Sequence, residues 1–245
     1  MGKARISGNY MSIEFAKIVI IVDNNRLRED LETRWGLSIY VETPYNKILF
    51  DTDTDPNVLA RNAGKLGIDL SNIDCVVISH AHGDHTGGLR ILSEYKPGLL
   101  VYTPKHANIE SYVRRLGLTP RSISQTVRIL TGVYVIGELS RGGFGLWEQA
   151  LGLKVKEKLI VLTGCSHPGL DKIVEKALND VGGRLYIVLG GFHDPSSSML
   201  DSVIELGADK IYPLHCSGRR SIRYLKENYP EKLGIGGAGL ELYIK

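Results

Sequence analysis

The chain has 245 residues, 43% of them apolar and 23% charged, and a formal net charge of +3. Such a composition is ordinary for a soluble globular protein and leaves room for one large α/β domain or two small ones. The mild, dispersed positive charge makes no case for nucleic acid, though it would not repel a phosphorylated substrate. Three cysteines, Cys75, Cys165 and Cys216, are too few for a disulfide framework and suit a reducing compartment. No apolar run approaches the roughly 18 residues of a membrane span. The start, Met1 to Ser7, has no long apolar stretch of the secretory kind. The expected location is cytoplasmic, and the sequence specifies no oligomeric state.

In chain order, residues 1–16 read as an N-terminal extension, with Met11 as an alternative start, and 17–245 as a single domain. Short β-branched runs at Ile18–Val22, Leu37–Val41 and Lys47–Phe50 predict neighbouring, partly antiparallel strands. Pro56–Leu66 predicts a helix, with Asp53 and Asp55 as capping candidates and Gly67 behind it. Cys75–Ile78 and Leu99–Tyr102 predict buried strands. Pro104–Leu116 predicts a helix, and Arg114–Gly143 an irregular excursion, either folded over a site or solvated. Val133–Ile136 within it, then Leu159–Leu162, Leu185–Leu189 and Lys210–Pro213, predict further strands. Helices are expected at Pro168–Val181, Ser196–Leu206 and Ser217–Asn228. Strands and helices alternating after residue 50 point to a layered α/β fold.

The most informative segment is Ser79-His80-Ala81-His82-Gly83-Asp84-His85-Thr86-Gly87-Gly88. Alternate residues of an extended segment point the same way, so His80, His82 and Asp84 can share a face with His85 turned from them. That offers imidazole and carboxylate ligands to two neighbouring ions of the Zn, Fe or Mn type. Three more histidine motifs follow predicted strands: Thr163-Gly164-Cys165-Ser166-His167, Gly190-Gly191-Phe192-His193-Asp194 and Leu214-His215-Cys216. Ligand sites in open α/β sheets gather at carboxyl ends of strands, so these segments can converge. His106 stands apart and reads as a surface residue. Asp51 reads as an acceptor that orients a ligand histidine. Asp23-Asn24-Asn25 is either a plain turn or a contact to the site. Gly234 to Gly239 matches G-x-G-x-x-G but leaves no room for a following helix. It reads as a close-packed turn and not as a dinucleotide site.

The His80–Gly88 motif, with His167 and His215 downstream, resembles the metallo-β-lactamase superfamily. The finer pattern around Cys165, His193 and Cys216 looks like the branch containing the dihydropterin–ribofuranosylaminobenzene 5′-phosphate synthases and related metal-dependent hydrolases. The resemblance implies an αββα sandwich, two mixed sheets flanked by helices, and two divalent metal ions, Zn first, with Mn, Fe or Mg as alternatives. It implies His80, His82 and His167 on one ion and Asp84, His85 and His215 on the other. Many members carry a bridging Asp where this chain has Gly190-Gly191. Either Cys165 bridges as a thiolate, or His193 or a water takes that place. Asp53 also stands where relatives often carry Gly. The implied catalytic residues are Asp84 and His193, with Arg141, Arg219 and Arg220 holding phosphates. Three activities stay open: transfer onto a dihydropterin methyl diphosphate, hydrolysis of phosphodiesters or other esters, and metal binding without catalysis.

Overall fold

The structure is a computed structural model that describes residues 12–142 and 145–245. The chain runs β1 (Ala16–Val22), β2 (Ser38–Glu42), β3 (Lys47–Phe50), α1 (Pro56–Lys65), β4 (Cys75–Val77), α2 (Gly83–Thr86), α3 (Leu89–Tyr95) and β5 (Leu100–Pro104). Next come α4 (Glu110–Arg115), β6 (Thr119–Ile123), β7 (Val127–Leu130), β8 (Val133–Ser140), β9 (Trp147–Val155) and β10 (Lys158–Thr163). It closes with α5 (Leu170–Val181), β11 (Arg184–Gly191), α6 (Ser197–Glu205), β12 (Lys210–Leu214), α7 (Gly218–Asn228) and β13 (Glu241–Ile244).

Two mixed sheets form. One has the order β13-β1-β2-β3-β4-β5-β6 and the other β12-β11-β10-β9-β8-β7. The period of two in the strands explains the layering. In β1, Ile18 and Ile20 enter the layer between the sheets, facing Leu151, Leu153, Ile160 and Leu162 of the other sheet. Val19 and Ile21 point outward, under Val58, Leu59 and Ala63 of α1. On the far side, Val161 and Val188 pack against Ile173, Val174 and Ala177 of α5. The result is the expected αββα sandwich. No helix among the described residues is long and apolar enough to cross a membrane.

Several boundaries differ from expectation for local reasons. The N-terminal extension falls largely outside the described residues. Of the rest, Ile13 is buried and donates its N–H to Lys154 O at 2.9 Å, and Ala16 opens β1. The helix expected over Pro104–Leu116 is cut to α4, because Pro104 ends β5 and Asn108 takes a left-handed φ of 56°. The supposed excursion after Arg114 holds β6, β7 and all of β8. The first two are the edge strands of their sheets, so their residues stay exposed and carry little apolar signal. The late glycine turn is close-packed as expected, since a Cβ at Gly234 would lie 2.2 Å from the Tyr212 ring.

The topology brings one set of loops to one edge. β1, β3 and β4 run parallel to one another, as do β10, β11 and β12. Their carboxyl ends lead into Asp23, Asp51, His80–His85, Cys165–His167, His193 and His215. Among the described residues, six of the eight non-glycines with positive φ lie here: Asp51, Asp53, Ser166, His193, Asp194 and His215. Backbone strain gathered at one edge of a fold marks a site held in shape by its surroundings.

Candidate metal centre

The cage starts from Asp51, a fully buried carboxylate. Its Oδ1 accepts the Ser79 amide at 2.7 Å, and its Oδ2 accepts the Ser79 hydroxyl at 2.7 Å and His85 Nδ1 at 2.6 Å. The Ser79 hydroxyl has spent its one proton on Asp51. Its 2.9 Å contact to His80 Nδ1 is therefore one in which His80 donates. Asp51 thus fixes the tautomer of His85 directly and of His80 through Ser79. Both rings are left presenting Nε2 as a lone pair to the interior.

His215 is set in the same way from the other sheet. Its backbone N–H donates to Asp23 Oδ1 at 2.6 Å, and Asn24 Nδ2 donates to its carbonyl at 2.9 Å. Asn24 Oδ1 lies 3.1 Å from His215 Nδ1, which donates and leaves Nε2 bare. Asp23-Asn24 is therefore more than a turn. It holds His215 in its strained conformation.

The four loops converge. His80 lies with its ring centroid 4.6 Å from His82, 4.2 Å from His85 and 4.9 Å from His167. His85 and His215 are 5.0 Å apart. Asp84 Oδ2 is 3.3 Å from His215 Nε2 and 3.8 Å from His85 Nε2. Cys165 Sγ is 3.3 Å from His85 Nε2. Two donor triads result, His80–Cys165–His167 and His85–Cys165–His215, with the donor atoms of each within 4.8 Å of one another. Cys165 belongs to both. His82 completes the first side from an exposed position. His193 is exposed at the rim, with its ring 4.3 Å from His167. Asp194 cannot take the bridging place, because its carboxylate pairs with Arg220 at 2.6 Å on the outer surface.

The donor set fits divalent cations. His167 Nε2 and His215 Nε2 are buried with no hydrogen-bond partner among the described residues. Buried polar atoms are seldom left so, and lone pairs aimed at a carboxylate and a thiol call for a positive charge between them. His85 differs from the other imidazoles: burial would lower it, but Asp51 and then Asp84 hold it above the ordinary histidine range, so a cation at Nε2 would have to displace a proton. The other donors are in the states a cation needs or would impose. Burial, then the neighbouring imidazoles, push His80 well below the ordinary histidine range. Burial, then His193 and His82, push His167 down to about 3. Burial would raise Asp84, but its close approach to His215 and the imidazole charges of His85 and His215 outweigh it and bring the carboxyl down to about 2. The hydrogen bond shared with Cys216, and then burial, hold the Cys165 thiol far up. Coordination to a cation would reverse that and deprotonate the thiol.

Glu148 is the residue that sequence reasoning missed. It is fully buried in β9 and accepts three backbone N–H groups, from Cys165 (2.8 Å), Ser166 (2.7 Å) and His167 (2.8 Å). β9 runs antiparallel to β10 with Leu151 opposite Leu162, which carries residue 148 to the level of residue 165. Glycines let the loops close: a Cβ at Gly164 would sit 2.0 Å from Ser79 Oγ, and one at Gly191 would sit 2.1 Å from Gly164 O. His106 lies outside the cage. It is more than a free surface residue, since its backbone N–H and ring meet the buried Glu138 and the ring stacks on Trp147 at 4.5 Å.

Asp55 caps α1 as expected, accepting from Asn57 and Val58. Asp53 does not cap it. Its Oδ1 is buried without a partner, and burial lifts the carboxyl to about 6. Its φ of 62° is one that glycine adopts freely and most other residues do not. A raised carboxyl binds its proton more tightly in the folded chain, so folding loses stability as pH climbs from the ordinary 3.8 to about 6. Asp53→Asn, which tolerates the left-handed φ, is expected to raise the thermal midpoint at pH 7. The gain is at most about 3 kcal/mol and shrinks towards nothing at pH 4. Paired melts of variant and parent at the two pH values check this. Equal shifts at both would refute the ionisation argument.

Known proteins resemble this chain in sequence and fold. The chain is 26% identical to the 7,8-dihydropterin-6-methyl-4-(beta-D-ribofuranosyl)-aminobenzene-5'-phosphate synthase of Methanocaldococcus jannaschii, over 80% of this chain and 85% of that protein. A crystal structure described as a metal-dependent hydrolase of the beta-lactamase superfamily superposes with a TM-score of 0.80. It is 28% identical and covers 94% of this chain and 99% of the other. A diphosphatase of the PhnP family superposes with a TM-score of 0.61 at 16% identity, over 94% and 97% of the two chains, which is a likeness of fold. The family described as the metallo-beta-lactamase superfamily matches residues 36–215, a span that contains both donor triads. The chain belongs to the metallo-beta-lactamase superfamily.

Proposed function

We propose that the protein is a binuclear metal-dependent enzyme acting on a phosphorylated small molecule. The observation that carries this is the pair of donor triads meeting at Cys165, each with a buried, unpartnered imidazole nitrogen. On this reading His80, His82 and His167 hold one cation and Asp84, His85 and His215 the other, with the Cys165 thiolate between them. Zinc suits the mixed nitrogen, sulfur and oxygen donors. Two divalent cations there supply Lewis acidity and charge neutralisation at a phosphoryl group.

The specific reaction we assign is transfer of the synthase kind, from the relative that bears that name. The bond from a methylene carbon to diphosphate breaks as the second substrate's nucleophile bonds to that carbon, and diphosphate leaves with the electron pair. Asp84, ionised down to a pH of about 2, accepts the nucleophile's proton. His193, exposed at the rim beside His167, donates a proton to the leaving oxygen. Hydrolysis is the second reading. It is favoured by the 28% identical structure described as a metal-dependent hydrolase. In it, water replaces the nucleophile and the same two residues handle the protons.

Elemental analysis of the purified protein is expected to find about two equivalents of divalent cation. Incubation with a dihydropterin methyl diphosphate and a ribofuranosylaminobenzene 5′-phosphate is expected to give condensed product and free diphosphate in equal amounts. Hydrolysis of bis(p-nitrophenyl) phosphate without any condensed product would decide for the hydrolase. Bound metal with neither activity would leave a non-catalytic module.

A further inference from the structure

A cavity of about 330 Å³ opens beside the cage on the side of His167, which forms part of its wall together with His193. Arg141 and Lys172 also line it. Both are exposed, and neither has a hydrogen-bond or ion-pair partner among the described residues. Exposed arginines elsewhere do pair with acids: Arg28, Arg34, Arg61, Arg184 and Arg220 each meet one. The acid that lines this cavity, Asp194, is already paired with Arg220. Among the described residues that line the cavity, Arg141 and Lys172 therefore face no free carboxylate. Gly169, at the start of α5, also lines it and makes no side-chain cap. Phe192 and Met199 give the cavity an apolar side.

Two free cations with an apolar side match an ester of phosphate better than a metal or a neutral molecule. The volume is at the small end for ligand pockets, enough for a sugar phosphate but not for a large bicyclic substrate as well. We infer that this cavity seats a phosphomonoester of sugar-phosphate size, the part of the substrate that is not attacked. Arg141 and Lys172 grip the dianion, and His167 and His193 separate it from the reacting group. This rests on the cage being the reaction centre. It assigns to the substrate an anionic arm lying on the His167 side. Such an arm fixes the angle at which the substrate meets the cage, a contribution to orientation that does not depend on which bond breaks.

The test is a calorimetric titration of the metal-loaded protein with ribose 5-phosphate, ribose and inorganic phosphate. Ribose 5-phosphate is expected to bind with a Kd at or below about 1 mM, the upper end of ordinary KM values. Ribose should give no heat. Arg141→Ala and Lys172→Ala should each weaken binding about tenfold, as loss of a charge-assisted hydrogen bond does. Lys172→Glu should abolish it. Arg90→Ala, an exposed cation on α3 far from the cavity in sequence, serves as the charge-matched control and should bind like the parent. All of these side chains are exposed, so folding is not at risk. Binding unchanged in the Arg141→Ala/Lys172→Ala double variant would place the phosphate on the cations instead and overturn the assignment. Failure of the parent to bind would do the same. The titration reads no turnover, so its failure leaves the proposed reaction standing, and loss of the proposed reaction leaves the titration intact.

Discussion

Alanine at Asp84 is expected to lower turnover by roughly 10²–10⁴-fold, the range for a group that moves a proton in the rate-limiting step. Bound cation should fall with it. The thermal midpoint should fall slightly at neutral pH, and the reason lies in the local charges. Asp84 Oδ2 faces Nε2 of His215 at 3.3 Å and of His85 at 3.8 Å. Those imidazoles favour the carboxylate, and a carboxyl held down to about 2 stabilises the folded chain above the ordinary 3.8. Metal content, kcat and a melt on one preparation settle the matter together. Full turnover with full metal content in the variant would remove Asp84 from the site.

At Glu148 the larger expected loss is of stability. Alanine there strands the amides of Cys165, Ser166 and His167 without acceptors. An unsatisfied buried N–H costs about 1–3 kcal/mol, so three of them amount to at least about 3 kcal/mol. For a chain of this size that lowers the midpoint by about 10 °C. It is also a large share of the roughly 5–15 kcal/mol that holds a domain folded. Glu148→Gln keeps one acceptor oxygen and should lose less. A comparison of both variants by thermal melts and by metal content separates the scaffold from the chemistry. Stability within a degree of the parent in Glu148→Ala would show that the three amides find other partners.

The sequence displayed the donors better than it displayed what supports them. His80, His82, Asp84, His85, His167 and His215 were legible because ligand chemistry uses few residue types and places them straight after strands. Asp51 was legible for the same reason. Glu148 was not, because its role depends on which residue of β9 faces which of β10, and pairing register across a hairpin is invisible in a single strand. Its polar neighbour Gln149 also hid the strand, although Gln149 Nε2 is used up inside the sandwich on Ile78 O at 2.8 Å. The edge strands β6 and β7 were missed for want of buried side chains. Cys165 could be read as a bridge or as a structural thiol. Only the convergence of the loops puts its sulfur within reach of imidazoles from both sheets.

Asp51 reaches both halves of that convergence, gripping His85 outright and His80 by way of a serine. The two lobes of the cage consequently share one keystone, and neither can be retuned through it alone. His215 answers to a separate anchor, Asp23-Asn24, on a different strand. Change at that anchor would act on the His215 lobe alone, as change at Glu148 would act on the loop that carries His167.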